Sequence, residues 1–316
     1  EDEEDEEERK GEESDAWDEQ GADAVGGTDA SAGADSGAEE EEEDELLTGR
    51  SNAALRAENV RLMDYADDLR QSPRYKAMLA QREQLPAYQM RDEVLRTIHS
   101  GQVSIVSADT GAGKTTQVAN LVLQEACLAG RGALVNMVCT QPRRLAAVTV
   151  AERVAAERGE RLGDMVGYQI RLESRRSPNT RLLFCTTGVL LRRLQCDPTL
   201  RGVSHVFVDE VHERGLDTDF LLCLLKKLLA SGRRPGLKVV LMSATLNADL
   251  FAEYFWGAPC LHIPGRAYPV ATHFLEDALE VTGTIISQDS EFAVGGGGRG
   301  GRGGRGGRGG RGGRGG

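Results

Sequence analysis

Apolar positions in this chain follow two rhythms, and the change between them falls near Gly101. Before it, Leu55, Leu62 and Leu69 recur at heptad spacing among charged residues, which predicts an amphipathic helix that Ser72-Pro73 breaks. A second helix is expected around Tyr75, Met78 and Leu79. A third, after Leu85-Pro86, covers Arg91 to His99 with Val94, Leu95 and Ile98. From Gly101 onward, short apolar runs alternate with helix-period stretches. The runs predict strands at Val103–Ser107, Ala133–Thr140, Val166–Arg171, Thr180–Thr186, Val203–Glu210 and Leu237–Thr245, with two more around Cys260–Pro264 and Val270–Phe274. Helices are expected at about Arg144–Arg158, Gly188–Gln195, Asp217–Ala230 and Ala248–Phe255. This alternation predicts an α/β fold, a mostly parallel sheet covered by helices on both faces, with ligands at the carboxyl ends of its strands.

The first strand leads into the most informative stretch, V-S-I-V-S-A-D-T-G-A-G-K-T-T from Val103 to Thr116. A small, flexible loop (Ala108, Asp109, Thr110, Gly111, Ala112 and Gly113) separates the strand from a helix. That helix opens on Lys114, Thr115 and Thr116 and carries Val118, Leu121 and Val122 on one face. Strand, glycine-containing loop and helix start form a phosphate cradle, because loop N–H groups and the helix dipole both favour an anion. Lys114 would reach the β- and γ-phosphates, and the Thr115 hydroxyl would ligate Mg²⁺. The usual pattern begins with glycine where this chain has Ala108, and alanine fits there only if φ stays negative.

A second constellation is V-S-H-V-F-V-D-E-V-H-E-R, residues 203–214. A buried strand ending in Asp209-Glu210 brings together two carboxylates that are costly to bury without a cation. With a phosphate loop in the same chain, the economical cation is Mg²⁺ on a nucleotide. Asp209 would hold the metal through water, Glu210 would orient and deprotonate the attacking water, and His212 would link the site to Ser243-Ala244-Thr245.

Charge divides the chain into three. Residues 1–49 carry 23 Asp/Glu against Arg9 and Lys10, and residues 295–316 carry six Arg and no acid. The overall −12 is therefore an arm at −21, a tail at +6 and a mildly basic body at +3. The acidic arm has almost no large apolar side chains, so it is expected to be disordered. It is read as a solubilising tail, a nucleic-acid mimic or a surface for protein partners. The six cysteines and five histidines show no metal-ligand spacing, which argues against zinc, and most of the cysteines are expected to be buried free thiols. No apolar run approaches the ~18 residues of a membrane helix, and the acidic start is not a signal peptide. The expectation is a soluble intracellular protein, cytoplasmic or nuclear, with no membrane contact. A first residue other than Met suggests a piece of a longer chain.

Ala108–Thr115, Thr140-Gln141-Pro142-Arg143-Arg144, Thr186-Thr187-Gly188, Asp209-Glu210-Val211-His212 and Ser243-Ala244-Thr245 stand in one order along the chain. That order resembles motifs I, Ia, Ib, II and III of the DEAH/DExH-box (RNA helicase A-like) RNA helicases of superfamily 2. The resemblance covers about residues 72–282 and extends to plant-type DExH proteins related to the G-quadruplex-resolving DEAH helicase. It implies a RecA-like P-loop domain, ATP or another NTP with Mg²⁺ as cofactor, and RNA as partner, structured RNA and G-quadruplexes included. Arg153 matches the arginine that stacks on the nucleotide base. Arg143, Arg144, Thr187 and Gly188 match segments that contact the RNA backbone, and Arg171 matches the turn near its 5′ side.

This chain departs from the family pattern at Ala108 and at Ala119-Asn120, where the family usually has Pro-Gln. The resemblance also implies that motifs IV, V and VI of a second RecA-like domain should follow Glu280. Instead the sequence runs through Glu291-Phe292-Ala293-Val294 into Gly-Gly-Arg repeats. Such repeats bind RNA through charge and guanidinium stacking, or are a low-complexity extension without a role. The expected organisation is a disordered acidic arm at 1–49, a helical lead-in at 50–86, a RecA-like domain at 87–282, and a linker with repeat tail at 283–316. Two functions remain open at this point. One is an ATP-dependent DExH-type RNA helicase truncated before its second RecA-like domain. The other is a non-catalytic nucleic-acid-binding module.

Overall fold

β-Branched and other apolar residues dominate seven of eight short segments that pair into one sheet in a computed structural model, which describes residues 50–244, 248–265 and 271–285. The strands are β1 (Val103–Ala108), β2 (Met137–Gln141), β3 (Val166–Ile170), β4 (Glu173–Arg175), β5 (Leu182–Thr186), β6 (His205–Val208), β7 (Lys238–Ser243) and β8 (Cys260–Ile263). Their order is β4-β3-β5-β2-β6-β7-β1-β8, and every pairing is parallel except that of β3 with β4. This is a RecA-like α/β sheet.

Nearly every strand is buried on both faces, so alternate residues enter two cores. Val106, Cys139, Phe207 and Val240 face one, while Ile105, Val138, Val206 and Leu241 face the other. The first core is covered by α1 (Asn52–Gln71), α2 (Pro73–Arg82), α3 (Pro86–Gln89), α4 (Arg91–His99), α5 (Lys114–Leu128) and α6 (Arg144–Glu157). The second is covered by α7 (Thr187–Cys196), α8 (Leu216–Ala230) and α9 (Ala248–Tyr254). The lead-in helix α1 belongs to the first core through Leu55 and Leu62. Polar anchors fix it further: Glu58 pairs with Arg181, and the Asn59 side chain accepts the Ala133 N–H at 2.7 Å.

Three elements differ from the pattern-based expectation. The run beginning at Ala133 opens as a 3₁₀ turn (Gly132–Leu134) and becomes strand only at Met137. β4 is an exposed, polar three-residue strand that carries no apolar signal. The strand expected at Val270–Phe274 is absent from its described part: Ala271–Phe274 are exposed and irregular. They lead into α10 (Leu275–Thr282), where Asp277 accepts the Phe274 N–H at 2.8 Å and so caps the helix. The described residues 271–285 belong to a separate unit, of which α10 is the one described element.

Among the cysteines, Cys127, Cys139 and Cys185 are buried free thiols, but Cys196, Cys223 and Cys260 are exposed. Among the described residues no helix is long and apolar enough to cross a membrane. Thr245, the acidic arm and the repeat tail lie outside the described residues.

Candidate nucleotide site

Strand register brings the candidate residues together. β1 pairs with β7 at Ser107–Ser243, β7 with β6 at Leu241–Val208, and β6 with β2 at Val208–Thr140. Four neighbouring strands therefore end side by side. Their last residues and the loops beyond them hold Ala108–Gly113, Ser243-Ala244, Asp209-Glu210 and Gln141.

Ala108 is the last residue of β1, 2% exposed and paired with Ile263. It is not among the residues with positive φ, so alanine stands there unstrained. The loop instead turns at Gly111 (φ 82°) and at Gly113 (φ 88°), which immediately precedes α5. Asp109 holds the loop from outside: its carboxylate accepts the Gly265 N–H at 2.8 Å, and its own N–H donates to Ile263 at 3.3 Å. Gly265 has no room for a side chain, since an added Cβ would lie 2.5 Å from Asp109 Cβ. Thr110 and Gly111 are exposed at the tip, Ala112 is buried, and Thr115 and Thr116 are half-buried in the first turn of α5. The first turn of a helix leaves backbone N–H groups without intrahelical partners, and these lie at the mouth of the loop.

Lys114 reaches across this mouth. Its ammonium donates to Asp209 Oδ1 at 3.0 Å and to Glu210 Oε2 at 3.4 Å. Asp209 is 2% exposed and fully engaged: Oδ1 also accepts the Glu210 N–H at 2.9 Å, and Oδ2 accepts Gln141 Nε2 at 2.9 Å. Gln141 lies within a stretch read as RNA-contacting, and its role as a carboxylate clamp emerges only from the β2–β6 pairing. Glu210 sits in the left-handed region at φ 55°, a strained setting for a non-glycine residue that aims its half-buried carboxylate back toward Lys114. His212 Nδ1 accepts the Ala244 N–H at 3.0 Å, and Ser243 Oγ donates to the Ala244 carbonyl at 2.7 Å.

Arg153 lies on α6, half exposed, its Nε donating to Glu157 Oε1 at 2.7 Å. Glu157 in turn accepts from Gln117 of α5 at 2.7 Å, which ties Arg153 to the nucleotide loop. The remaining candidates gather elsewhere. Arg144, Arg171, Thr187 and Gly188 line a broad groove of about 1920 Å³ that also takes in Arg176 and Arg192, and none of Ala108–Thr116 lines it. Arg144 Nη2 donates to the Arg171 carbonyl at 3.4 Å, and Arg143, mostly exposed, pairs with Glu213 at 2.9 Å. Thr187 is 5% exposed and is the first residue of α7. Gly188 faces open space.

A parallel sheet with a glycine loop after β1 and paired carboxylates after β6 defines a RecA-like P-loop domain. Residues 88–252 match the family model described as DEAD/DEAH box helicase, and the chain belongs to that family. It is 55% identical over 229 residues to the DExH-box ATP-dependent RNA helicase DExH3 of Arabidopsis thaliana, covering 72% of this chain and 19% of that protein. It is 48% identical over 239 residues to the putative ATP-dependent RNA helicase DHX57 of Homo sapiens, covering 76% and 17%. Over 211 residues it is 51% identical to the ATP-dependent DNA/RNA helicase DHX36 of Bos taurus, covering 66% and 21%. The chain thus spans about a fifth of the length of these curated relatives.

Proposed function

We propose that this chain carries the nucleotide-binding RecA-like domain of an ATP-dependent RNA helicase of the DExH type. The observation that carries the reading is the bridge from Lys114, in the first turn of the helix after β1, to Asp209 and Glu210 beyond β6, two parallel strands separated only by β7. A buried ion pair is a weak source of stability, so its placement at the mouth of a phosphate loop argues for a site awaiting further charge. The triphosphate would draw Lys114 away from the carboxylates. Thr115, Asp209 and Glu210 would then be left to hold Mg²⁺, partly through water. These are hard oxygen donors suited to that ion, and too few to enclose it, which leaves positions for phosphate oxygens. Bound Mg²⁺ supplies neutralisation of the charge that develops on the phosphates.

In this reading Glu210 orients the attacking water and takes its proton, while Gln141 and the Glu210 N–H hold Asp209 in place. His212 connects the carboxylates to Ser243-Ala244-Thr245, the segment that would pass the state of the nucleotide to RNA. Arg153 would lie against the base, held by Glu157. Arg143, Arg144, Arg171 and the backbone at Thr187-Gly188 would bind RNA phosphates without reading sequence. Structured RNA is a substrate class consistent with this surface, and the cytoplasm or nucleus is the setting that substrate implies.

RNA-stimulated ATP turnover tests the proposal. The expected result is Mg²⁺-dependent turnover that rises with RNA and disappears in Glu210→Gln. Turnover no higher than in Glu210→Gln, with RNA binding retained, would overturn the enzymatic reading and leave a binding module.

A further inference from the structure

Residues 82–88, from the end of α2 into α3, touch the phosphate loop and the helix that follows it in three ways. The Ala87 N–H donates to the Ala112 carbonyl at 3.0 Å. Leu85 packs on Gly113, where an added Cβ would lie 3.1 Å from Leu85 Cδ1. Arg82, 1% exposed, donates from Nε to Gln117 Oε1 at 2.9 Å and lies over the Tyr88 ring at 5.1 Å.

Gln117 relays that contact in two directions. Its Nε2 donates to Thr116 Oγ1 at 2.8 Å and to Glu157 Oε2 at 2.7 Å, and Glu157 accepts Arg153 Nε. Arg82 Nε is itself 3.8 Å from Glu157 Oε2. One buried carboxylate therefore lies beside two guanidiniums, the buried Arg82 and the half-exposed Arg153. Burying a guanidinium is costly, and although Arg82 Nη2 donates to Gln124 Oε1 at 3.4 Å, Nη1 has no hydrogen-bond partner among the described residues. An apolar side chain would fill this space at lower cost, so packing alone does not account for Arg82.

We infer that Arg82 is a positioning residue for the nucleotide site, fixing through Gln117 and Glu157 both the Thr116 end of the phosphate loop and the Arg153 guanidinium. The inference rests on the nucleotide reading above, and it makes the lead-in segment part of that site. Without Arg82, Gln117 loses the donor that holds its Oε1, and Glu157 keeps Arg153 as its remaining guanidinium beside the Gln117 amide. The loop then has to be ordered by the nucleotide itself, which weakens binding.

The test is the affinity of the full chain for a fluorescent ATP analogue with Mg²⁺, read beside the thermal midpoint of each variant. Arg82→Gln is expected to weaken binding about tenfold. Arg82→Lys keeps the charge but lacks the planar fork, so it should recover part of the loss. Arg181→Gln is the control: it removes another buried guanidinium, paired with Glu58, and should lower the thermal midpoint while leaving affinity within about twofold. Wild-type affinity in folded Arg82→Gln overturns the inference, as does an equal loss of affinity in Arg181→Gln. Should Arg82→Gln fail to fold, wild-type affinity in Arg82→Lys overturns it instead. Lys114→Ala separates the two levels. If it binds as wild type, the nucleotide reading itself fails; if it loses binding while Arg82→Gln does not, only the positioning role falls.

Discussion

His212 and Ala244 are joined directly: the Ala244 N–H donates to His212 Nδ1 at 3.0 Å, and the same nitrogen lies 3.4 Å from Glu210 Oε2. A ring nitrogen that accepts carries no proton, so in this arrangement the imidazole is neutral with its hydrogen on Nε2. Its bond is then to the loop after β7, and Glu210 is a close neighbour rather than its partner. His212→Ala should leave Mg²⁺-nucleotide affinity within about threefold but reduce RNA stimulation of turnover on the order of tenfold, toward the low end of inter-site coupling. Paired binding and turnover assays check this. An affinity loss matching that of Lys114→Ala would place His212 in nucleotide binding instead.

Lys114 and Asp209 are both buried, and each is the other's nearest opposite charge. Removing Lys114 leaves Asp209 uncompensated, which in buried pairs costs roughly 3–5 kcal/mol, while removing Asp209 leaves Lys114 only the half-buried Glu210 at 3.4 Å. Lys114→Ala and Asp209→Ala should each lower stability in denaturant unfolding. The double variant should lose less than the two losses combined, because either change already disables the pair. Additive losses would mean that the two residues act separately.

Ala108 stands where the usual motif has glycine, yet it is a paired, buried strand residue without positive φ. Ala108→Gly should therefore not tighten nucleotide binding, and should cost about 0.5–1 kcal/mol through the freedom it gives the unfolded chain. Titration with a fluorescent nucleotide and thermal unfolding measure the two parts. Tighter binding in the variant would show strain at this position after all.

His205, at the start of β6, is pushed down from 6.5 to about 3 by burial first, with the positive charges of His99, Lys238 and Arg131 adding to it. The folded value lies below the unfolded one, so the unfolded chain takes up the proton first as pH falls. Stability is thus full above about pH 6.5 and declines from there toward pH 3. His205→Gln should flatten the fall in thermal midpoint between pH 7.5 and 5. Glu160, raised by its own burial, acts in the opposite sense at lower pH but is present in both proteins and cancels in the comparison. Parallel curves would exclude His205 as the source.

Much of this was legible in the sequence because burial and period coincide. The residues of β1, β2, β6 and β7 are apolar on both faces, and Val118, Leu121 and Val122 fall on the buried side of α5. The phosphate loop and the carboxylates stood out because few other arrangements make use of Lys114 beside Asp209-Glu210. What could not be read depends on pairing between distant segments. Gln141 meets Asp209 only because β2 lies against β6. Arg82 looks like one more charge on a polar helix until Gln117 and Glu157 close around it. β4 gave no signal because its three residues bury nothing. At Val270–Phe274 the pattern named a strand, where Phe274 instead caps a helix with Asp277.

Helix α1 begins at Asn52, well ahead of residue 88 where the match to the helicase family starts, yet its leucines share a core with β1 and α5. The stretch by which this protein is recognised is therefore shorter than the stretch that folds. A polypeptide cut at the recognised boundary would keep every motif and still expose the apolar floor that Leu55 and Leu62 cover, presenting a sticky surface where the native chain has a helix.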